Sequence, residues 1–270
     1  RKLETALGVA LFNRTTREVS LTQEAQAMLP EIRRSLQALH DACGAMAETG
    51  ARRSGRLAFA CLPTLSYHYL PHVLRAFSDD YPDIIVRLED RTVARVYELV
   101  QAGDVEFGIT IVGAQQWDME IRAIYTEPYV LYVRQDDPLA RQPSVTRADL
   151  AGRTFARITT QSSNRQLVDE ALEEYRDRYV WRYQVQNAAT ALSLVSEGAA
   201  ITILPALMSR LDWKGLVALP FSDVSLSRTL GVVTRRGTTL TAPAQHLIGL
   251  LEDRLADRAA PVTAPATPRG

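Results

Sequence analysis

The sequence predicts an α/β protein made of two similar lobes, preceded by a long helix and a short basic hairpin. One pattern of strand, polar turn, helix, strand, helix, glycine and strand occurs twice. Its opening and closing glycines lie 48 residues apart at Gly55 and Gly103, and 46 residues apart at Gly152 and Gly198. Ahead of the first copy, apolar residues recur every 3.5 positions. The same element order at the same spacing indicates two lobes of one design.

The composition limits the classes of protein that the chain can represent. Of 270 residues, 46% are hydrophobic and 23% are charged, which is ordinary for a globular protein. The 31 basic residues balance 31 acidic ones, so no overall charge attracts the chain to nucleic acid or to a membrane. The two cysteines indicate a reducing compartment, and no apolar run reaches the roughly 20 residues of a membrane span. We therefore expect a cytoplasmic protein with no membrane partner.

Residues 1–21 predict the end of one helix followed by a two-stranded wing. The tip Arg14-Thr15-Thr16-Arg17 lies between two short apolar segments. Basic and hydroxyl side chains on such a tip can reach phosphates or a minor groove, although a solvated charged turn is the alternative. The chain starts in mid-helix without Met, so we expect these residues to be the remnant of a DNA-binding domain. On that interpretation the chain by itself should bind DNA weakly or not at all.

Residues 22–55 predict a long helix and a hinge. Thr22 can cap the helix, and a stripe with spacings of 4 and 3 follows: Ala25, Leu29, Ile32, Leu36, Leu39, Cys43 and Met46. We expect this stripe to pair two subunits, and packing on the chain's own body is the alternative. Pro30 interrupts the helix, and Gly50 to Gly55 form the hinge.

Residues 56–257 predict the two lobes. We assign residues 56–128 and 235–257 to lobe I and residues 129–234 to lobe II. The predicted strands are Leu57–Leu62, Ile84–Glu89, Val105–Ile111, Thr154–Ile158, Val180–Val185 and Ala200–Leu204, with Tyr129–Arg134 and Leu230–Thr234 crossing between the lobes. The predicted helices end near Asp80, Gln101, Tyr179 and Glu197, and Leu247–Leu255 closes lobe I. Residues 258–270 predict a disordered tail rich in Pro, Ala and Thr.

Small polar side chains follow the strands of both lobes, where helices begin. In parallel α/β lobes, ligands bind beyond the carboxyl ends of the strands, and helix N-termini attract anions. We therefore predict a cleft for a small anion, most simply a carboxylate. The predicted effector-binding residues are Thr64, Ser66, Thr92, Thr160, Ser162, Ser163 and Asn187. The alternative at each position is that the residue only caps its helix.

The sequence carries no recognisable catalytic or metal-binding pattern, so we predict no enzyme, metal or cofactor. His68 and His72 are four residues apart but lack a third ligand, and neither a G-x-S-x-G nor an H-E-x-x-H motif occurs. Cys43 lies on the apolar stripe and Cys61 in an apolar strand, so both are predicted to be small core residues.

The chain closely resembles the LysR-type transcriptional regulators from Arg1 to about Ala256. The residues that carry the resemblance are Leu3-Glu4, Leu7-Gly8-Val9, Leu11-Phe12-Asn13-Arg14, Val19-Ser20-Leu21-Thr22, Glu24-Ala25, Tyr81-Pro82, Gly103-Asp104-Val105-Glu106-Phe107-Gly108-Ile109, Glu197-Gly198 and Leu204-Pro205. The resemblance implies a winged helix-turn-helix that lacks its first part, a linker helix that dimerises, and a two-lobed effector domain like a periplasmic binding protein.

The resemblance also implies roles for individual residues. Arg1 would lie late in the recognition helix, and Arg14, Thr15 and Arg17 on the DNA-contacting wing. Thr64 and Thr92 match first-lobe effector contacts. The implied partners are promoter DNA, a small-molecule effector, further copies of the chain in a dimer or tetramer, and RNA polymerase as a candidate. A solute-binding protein and an enzyme on the same fold stay open as alternatives.

Overall fold

The computed structural model describes residues 4, 7–14, 19–48, 55–67, 69–113, 118–159, 163–210 and 213–257. The predicted tail and most of the predicted hinge lie outside these residues. At the start of the chain, β1 (Phe12–Arg14) pairs antiparallel with β2 (Val19–Leu21) in the expected hairpin. The Glu4 carboxylate accepts hydrogen bonds from the backbone N–H groups of Leu11 and Phe12, at 3.0 and 3.3 Å. These bonds hold the pKa of Glu4 well below its ordinary value and attach the hairpin to the preceding segment.

The long helix α1 (Gln23–Glu48) begins where the sequence predicts. The Thr22 hydroxyl accepts from the Ala25 N–H at 3.2 Å and donates to the Ala10 carbonyl at 2.8 Å, so it caps the helix and joins it to the hairpin. The apolar stripe is buried at Ala25 but becomes exposed further along, with Ile32 38% and Leu36 61% accessible. Within the described side chains, the stripe thus leaves the chain's own body and reaches solvent.

The first lobe is a parallel sheet with helices on its faces. Its strands are β3 (Gly55–Cys61), β4 (Ile84–Asp90) and β5 (Phe107–Ile111), and its helices are α2 (Pro63–Ser66), α3 (Leu70–Asp80) and α4 (Val93–Ala102). In the register, Cys61 at the end of β3 is opposite both Asp90 and Ile109. Alternate strand residues face each side, and the stacked rings of Phe59 and Phe107, 5.1 Å apart, lie in the larger core.

The two strands that connect the lobes differ from the prediction. β6 (Met119–Arg134) is much longer than the expected Tyr129–Arg134, because its first half alternates exposed and covered side chains and contains no apolar run. β11 (Ser227–Arg235) pairs with β5 and places Leu230 and Val232 in the first-lobe core. Residues 230–233, which the sequence analysis places in lobe II, therefore pair with a strand of lobe I in the structure.

The second lobe repeats the first. Its strands are β7 (Thr154–Ile158), β8 (Val180–Val185), β9 (Thr202–Pro205) and β10 (Leu216–Pro220), and its helices are α5 (Ser163–Ala171) and α6 (Ala188–Ser196). The bounds of β7 and β8 match the prediction at every residue. The helix expected to reach Tyr179 ends at Ala171 instead, and Glu173–Arg178 form a 3₁₀ turn. Leu172 and Tyr179, on either side of this turn, are buried in the lobe's core.

One continuous sheet joins the lobes, in the strand order β10-β6-β11-β5-β3-β4, with β9 also paired to β6. The last helix, α7 (Ala242–Ala256), packs Leu247, Ile248, Leu251 and Leu255 into the first-lobe core, as predicted. It begins earlier than expected because Thr241 caps it. The two-lobed α/β architecture is therefore confirmed. Among the described residues, no helix is both long and apolar enough to cross a membrane.

Candidate functional site

The parallel strands of both lobes end against the same short stretch of the connecting strands. In the first lobe, Ile111 at the end of β5 pairs with Leu230 of β11. In the second lobe, Pro205 at the end of β9 pairs with Tyr129 of β6. β7 runs parallel to the segment that leads into β9, so its carboxyl end points the same way. We call this meeting place, around residues 126–130 and 226–230, the cleft.

The first-lobe residues predicted to bind an effector gather at the ends of β3 and β4. Thr64 is buried, and its hydroxyl accepts a hydrogen bond from the Arg228 Nη2 group at 3.0 Å. The Ser66 hydroxyl lies 2.7 Å from an Asp90 carboxylate oxygen, which links the first two turns of the lobe. Thr92 precedes α4, is exposed, and makes no side-chain capping bond. Of the three residues, Thr92 is the most exposed.

Of the predicted second-lobe residues, the structure describes the side chain of Asn187 alone. Asn187 caps α6, because its amide oxygen accepts from the Thr190 N–H at 2.9 Å and lies 3.0 Å from the Thr190 hydroxyl. This is the capping role weighed as the alternative at each position. Ser163 is the first residue of α5, but its side chain lies outside the described part, as do Thr160 and Ser162. In the second lobe, the structure therefore describes contacts for Asn187 and a backbone position for Ser163.

The predicted DNA-contacting residues fall mostly outside the described part of the chain. Arg1, Thr15 and Arg17 are not described, and Arg14 is described only as the last backbone position of β1. The hairpin that would carry the wing tip is present. The DNA-binding roles of these four residues therefore stay predictions.

The sequence analysis missed a fully buried ion pair in the cleft. Glu127 on β6 and Arg228 on β11 stand opposite each other in the register, and neither side chain is accessible. The Arg228 Nε and Nη2 groups lie 2.8 and 2.7 Å from one Glu127 oxygen. The other Glu127 oxygen accepts from the backbone N–H of Leu207, at 2.7 Å. We call Glu127 and Arg228 the hinge ion pair, because the bond to Leu207 comes from the second lobe.

The surroundings of the hinge ion pair are buried and largely apolar. Leu207 packs in the first-lobe core although it follows β9 of the second lobe. Burial raises the pKa of the nearby Tyr129 phenol, and of Tyr132, well above the ordinary value. In the sequence, the pair appears only as a lone Glu and a lone Arg, each just before a predicted strand. They are 101 residues apart, so only the fold could pair them.

The described residues offer little to catalysis or metal binding. No group of three or more His, Cys, Asp or Glu side chains among them could hold a metal ion. Cys61 is fully buried at the end of β3. Burial and the Asp90 carboxylate raise the pKa of its thiol, so the reactive thiolate is scarce at neutral pH.

We therefore expect Cys61 to be inert in the folded protein. In a Cys43→Ser variant, no thiol should react with Ellman's reagent under native conditions, and one should react in urea. We expect the Cys61 thiol to react slowly because each unit by which its pKa is raised lowers the thiolate fraction about tenfold. Rapid native labelling of that variant would contradict a purely structural role for Cys61.

These features define a class: a two-lobed α/β domain whose strand ends meet at its connecting strands, preceded by a long helix and a small hairpin. The family model of the LysR substrate binding domain matches residues 50–256. The chain belongs to the LysR-type transcriptional regulators.

Relatives in sequence and structure agree with this assignment. The HTH-type transcriptional regulator YbhD of Escherichia coli K12 is 30% identical over 252 residues, covering 93% of this chain and 80% of YbhD. A full-length OxyR variant of Pseudomonas aeruginosa has a TM-score of 0.70 at 19% identity, covering 100% of this chain and 86% of that one. The effector-binding domain of QuiR in complex with shikimate has a TM-score of 0.65 at 16% identity, covering 76% and 99%. The relatives are regulators and not enzymes, which confirms the non-enzymatic prediction.

Proposed function

We propose that this regulator senses a small metabolite bearing a carboxylate, or a similar oxygen anion, in the cleft between its lobes. The observation that carries the proposal is the convergence of both lobes' strand ends on the connecting strands, where Thr64 contacts Arg228. Thr92 follows β4 of the same sheet. Ligands of parallel α/β folds bind at such strand ends. The bound shikimate in QuiR, a fold neighbour, is one example of a ligand in this architecture.

We propose that neutral hydrogen-bond donors hold the anion in the cleft. Because Glu127 neutralises Arg228, the hinge ion pair leaves no net charge of its own. We expect the attraction to come from hydroxyls and from helix starts, where backbone N–H groups lack helical partners. The helix α4, ten residues long, begins directly after Thr92, whose side chain makes no capping bond. A carboxylate at Thr92 would receive both kinds of donor.

The signal would pass from the cleft to DNA through the arrangement of subunits. A ligand shifts an equilibrium between lobe arrangements only by binding one of them better, and a coupling of roughly 1–3 kcal/mol is typical of allosteric proteins. We propose that copies of the chain associate through α1 and act in the cytoplasm on promoter DNA. RNA polymerase is a candidate further contact.

A thermal-shift screen of small carboxylates, shikimate included, tests the proposed function on the purified chain. A binder at 100 times its Kd adds about 2.7 kcal/mol to stability, which raises Tm by several degrees. We expect Thr92→Val to weaken binding about tenfold or more, since one hydrogen bond to a charged group is lost. Thr234→Val, on β11 at its far end, is the matched control and should bind as the parent does. Equal affinity of the Thr92 variant would reject this site.

A further inference from the structure

The first lobe places a half-buried carboxylate at the carboxyl end of β4. Asp90 is the last residue of that strand and lies opposite Cys61, the last residue of β3. The Ser66 hydroxyl donates to an Asp90 oxygen at 2.7 Å, because an ionised carboxylate only accepts. The same hydroxyl lies 3.0 Å from the Pro63 carbonyl, so its one proton is shared between two acceptors. Within the described part of the chain, the Asp90 side chain has no second hydrogen-bond donor.

Among the described side chains, no cation neutralises Asp90. Arg91 follows it in the chain, but the Arg91 guanidinium donates to the Asp90 backbone carbonyl at 2.9 Å and lies 2.8 Å from a Glu89 carboxylate oxygen. In the cleft, Arg228 is already paired with Glu127. A half-buried carboxylate without a cation attracts one, because partial exclusion of water strengthens the attraction between opposite charges.

Asp90 lies close to the proposed anion site. Thr92 is two residues further on and directly precedes α4, and two residues of chain span at most about 7 Å. In addition, the short helix α2 carries both Ser66, which contacts Asp90, and Thr64, which contacts Arg228 of the cleft. A simple carboxylate bound at Thr92 would therefore be repelled by the Asp90 charge. A cationic group on the same ligand would offset this repulsion.

We propose that Asp90 is a specificity-determining residue that selects an effector with an ammonium group beside its carboxylate, as in an α-amino acid. The ammonium N–H groups donate to the Asp90 carboxylate, and such charge-assisted hydrogen bonds are stronger than neutral ones. An acid of the same shape without the ammonium group is disfavoured by the repulsion. This inference rests on the proposed function, because it names the class of ligand for the same cleft.

Matched pairs of ligands test the proposal on the purified chain. The common L-amino acids are screened by thermal shift. Each amino acid that stabilises the chain is then compared, by isothermal titration calorimetry, with its 2-hydroxy acid, in which a hydroxyl replaces the ammonium group. We expect the amino acid to bind about tenfold more tightly or better, since the hydroxy acid lacks the charged donor.

Three variants separate the charge of Asp90 from its shape. Asp90→Asn should bind the amino acid about tenfold more weakly than the parent and the hydroxy acid at least as tightly, because attraction and repulsion are both removed. Asp90→Glu keeps the charge and should keep a preference for the amino acid. Asp83→Asn, exposed in the turn before β4, is the matched control and should behave as the parent does. A parent-like Tm without ligand shows that each variant is folded.

The two proposals fail in different ways. A parent that binds both members of a pair equally, or an Asp90→Asn variant that keeps the parent's preference, would overturn the inference. If carboxylates without an ammonium group stabilise the chain through Thr92 and no amino acid does, the proposed function stands and the inference falls. If amino acids bind in dependence on Asp90 but Thr92→Val binds them as the parent does, the role of Asp90 stands and the proposed anion site falls. If no compound of either series binds, both proposals fall.

Discussion

Glu127→Leu is expected to lower the free energy of unfolding by about 3–5 kcal/mol. The change leaves the Arg228 guanidinium in a site where neither side chain of the pair is accessible to water. It also removes the acceptor of the Leu207 N–H, which ties the second lobe to the connecting strands. Urea unfolding followed by the fluorescence of the three tryptophans measures the change.

Adding Arg228→Met to that variant should recover most of the lost stability. Well-packed apolar residues often replace a buried ion pair at no cost, so the penalty belongs to the lone charge rather than to the missing pair. Glu120→Leu is the control, because Glu120 is exposed on the same strand and should change stability by less than about 0.5 kcal/mol. A small effect of Glu127→Leu, or no recovery in the double variant, would show that the pair does not hold the connecting strands.

Leu36→Lys is expected to convert the oligomer of this chain to a monomer. Leu36 lies on the apolar stripe of α1 and is 61% accessible in the single chain. If the stripe pairs two copies, each copy places a charge in the seam and loses a buried leucine. A loss of about 3 kcal/mol raises the dimer Kd on the order of 100-fold. Size-exclusion chromatography with light scattering at micromolar concentration measures the change in mass.

Ser35→Lys is the matched control for the helix seam. Ser35 is the adjacent residue, is exposed, and lies off the stripe, so the same charge there should leave the mass unchanged. If Leu36→Lys forms the same oligomer as the parent, the stripe is not the subunit interface, and packing on the chain's own body becomes the better interpretation.

Most of the fold could be predicted because its signals are local. The repeated strand-helix-strand pattern located β7 and β8 to the residue, and Thr22 marked the start of α1. Predictions failed where local pattern is weak. The first half of β6 has one covered face and no apolar run, so its pairing with β11 was not visible.

The candidate site could be predicted only in part. Polar residues after strands pointed to Thr64, Thr92 and Asn187, since strand ends and helix starts can be inferred from periodicity. Their roles could not be inferred in the same way. Asn187 makes a local contact, because its amide caps α6. Thr64 instead contacts Arg228, which is 164 residues further along the chain. Contacts of this kind depend on how the lobes are joined.

By itself, the sequence determined the two-lobed α/β class, the long helix with its apolar stripe, and the family, because each of these rests on residue types at short spacing. Only the tertiary structure decided that β11 pairs with β5 of the first lobe and that Glu127 and Arg228 share a buried site beside Thr64. The physical reason is that burial and charge pairing are properties of positions brought together by folding. In the sequence, nothing indicates that Glu127 and Arg228 form an ion pair, because the pairing of the connecting strands brings them together.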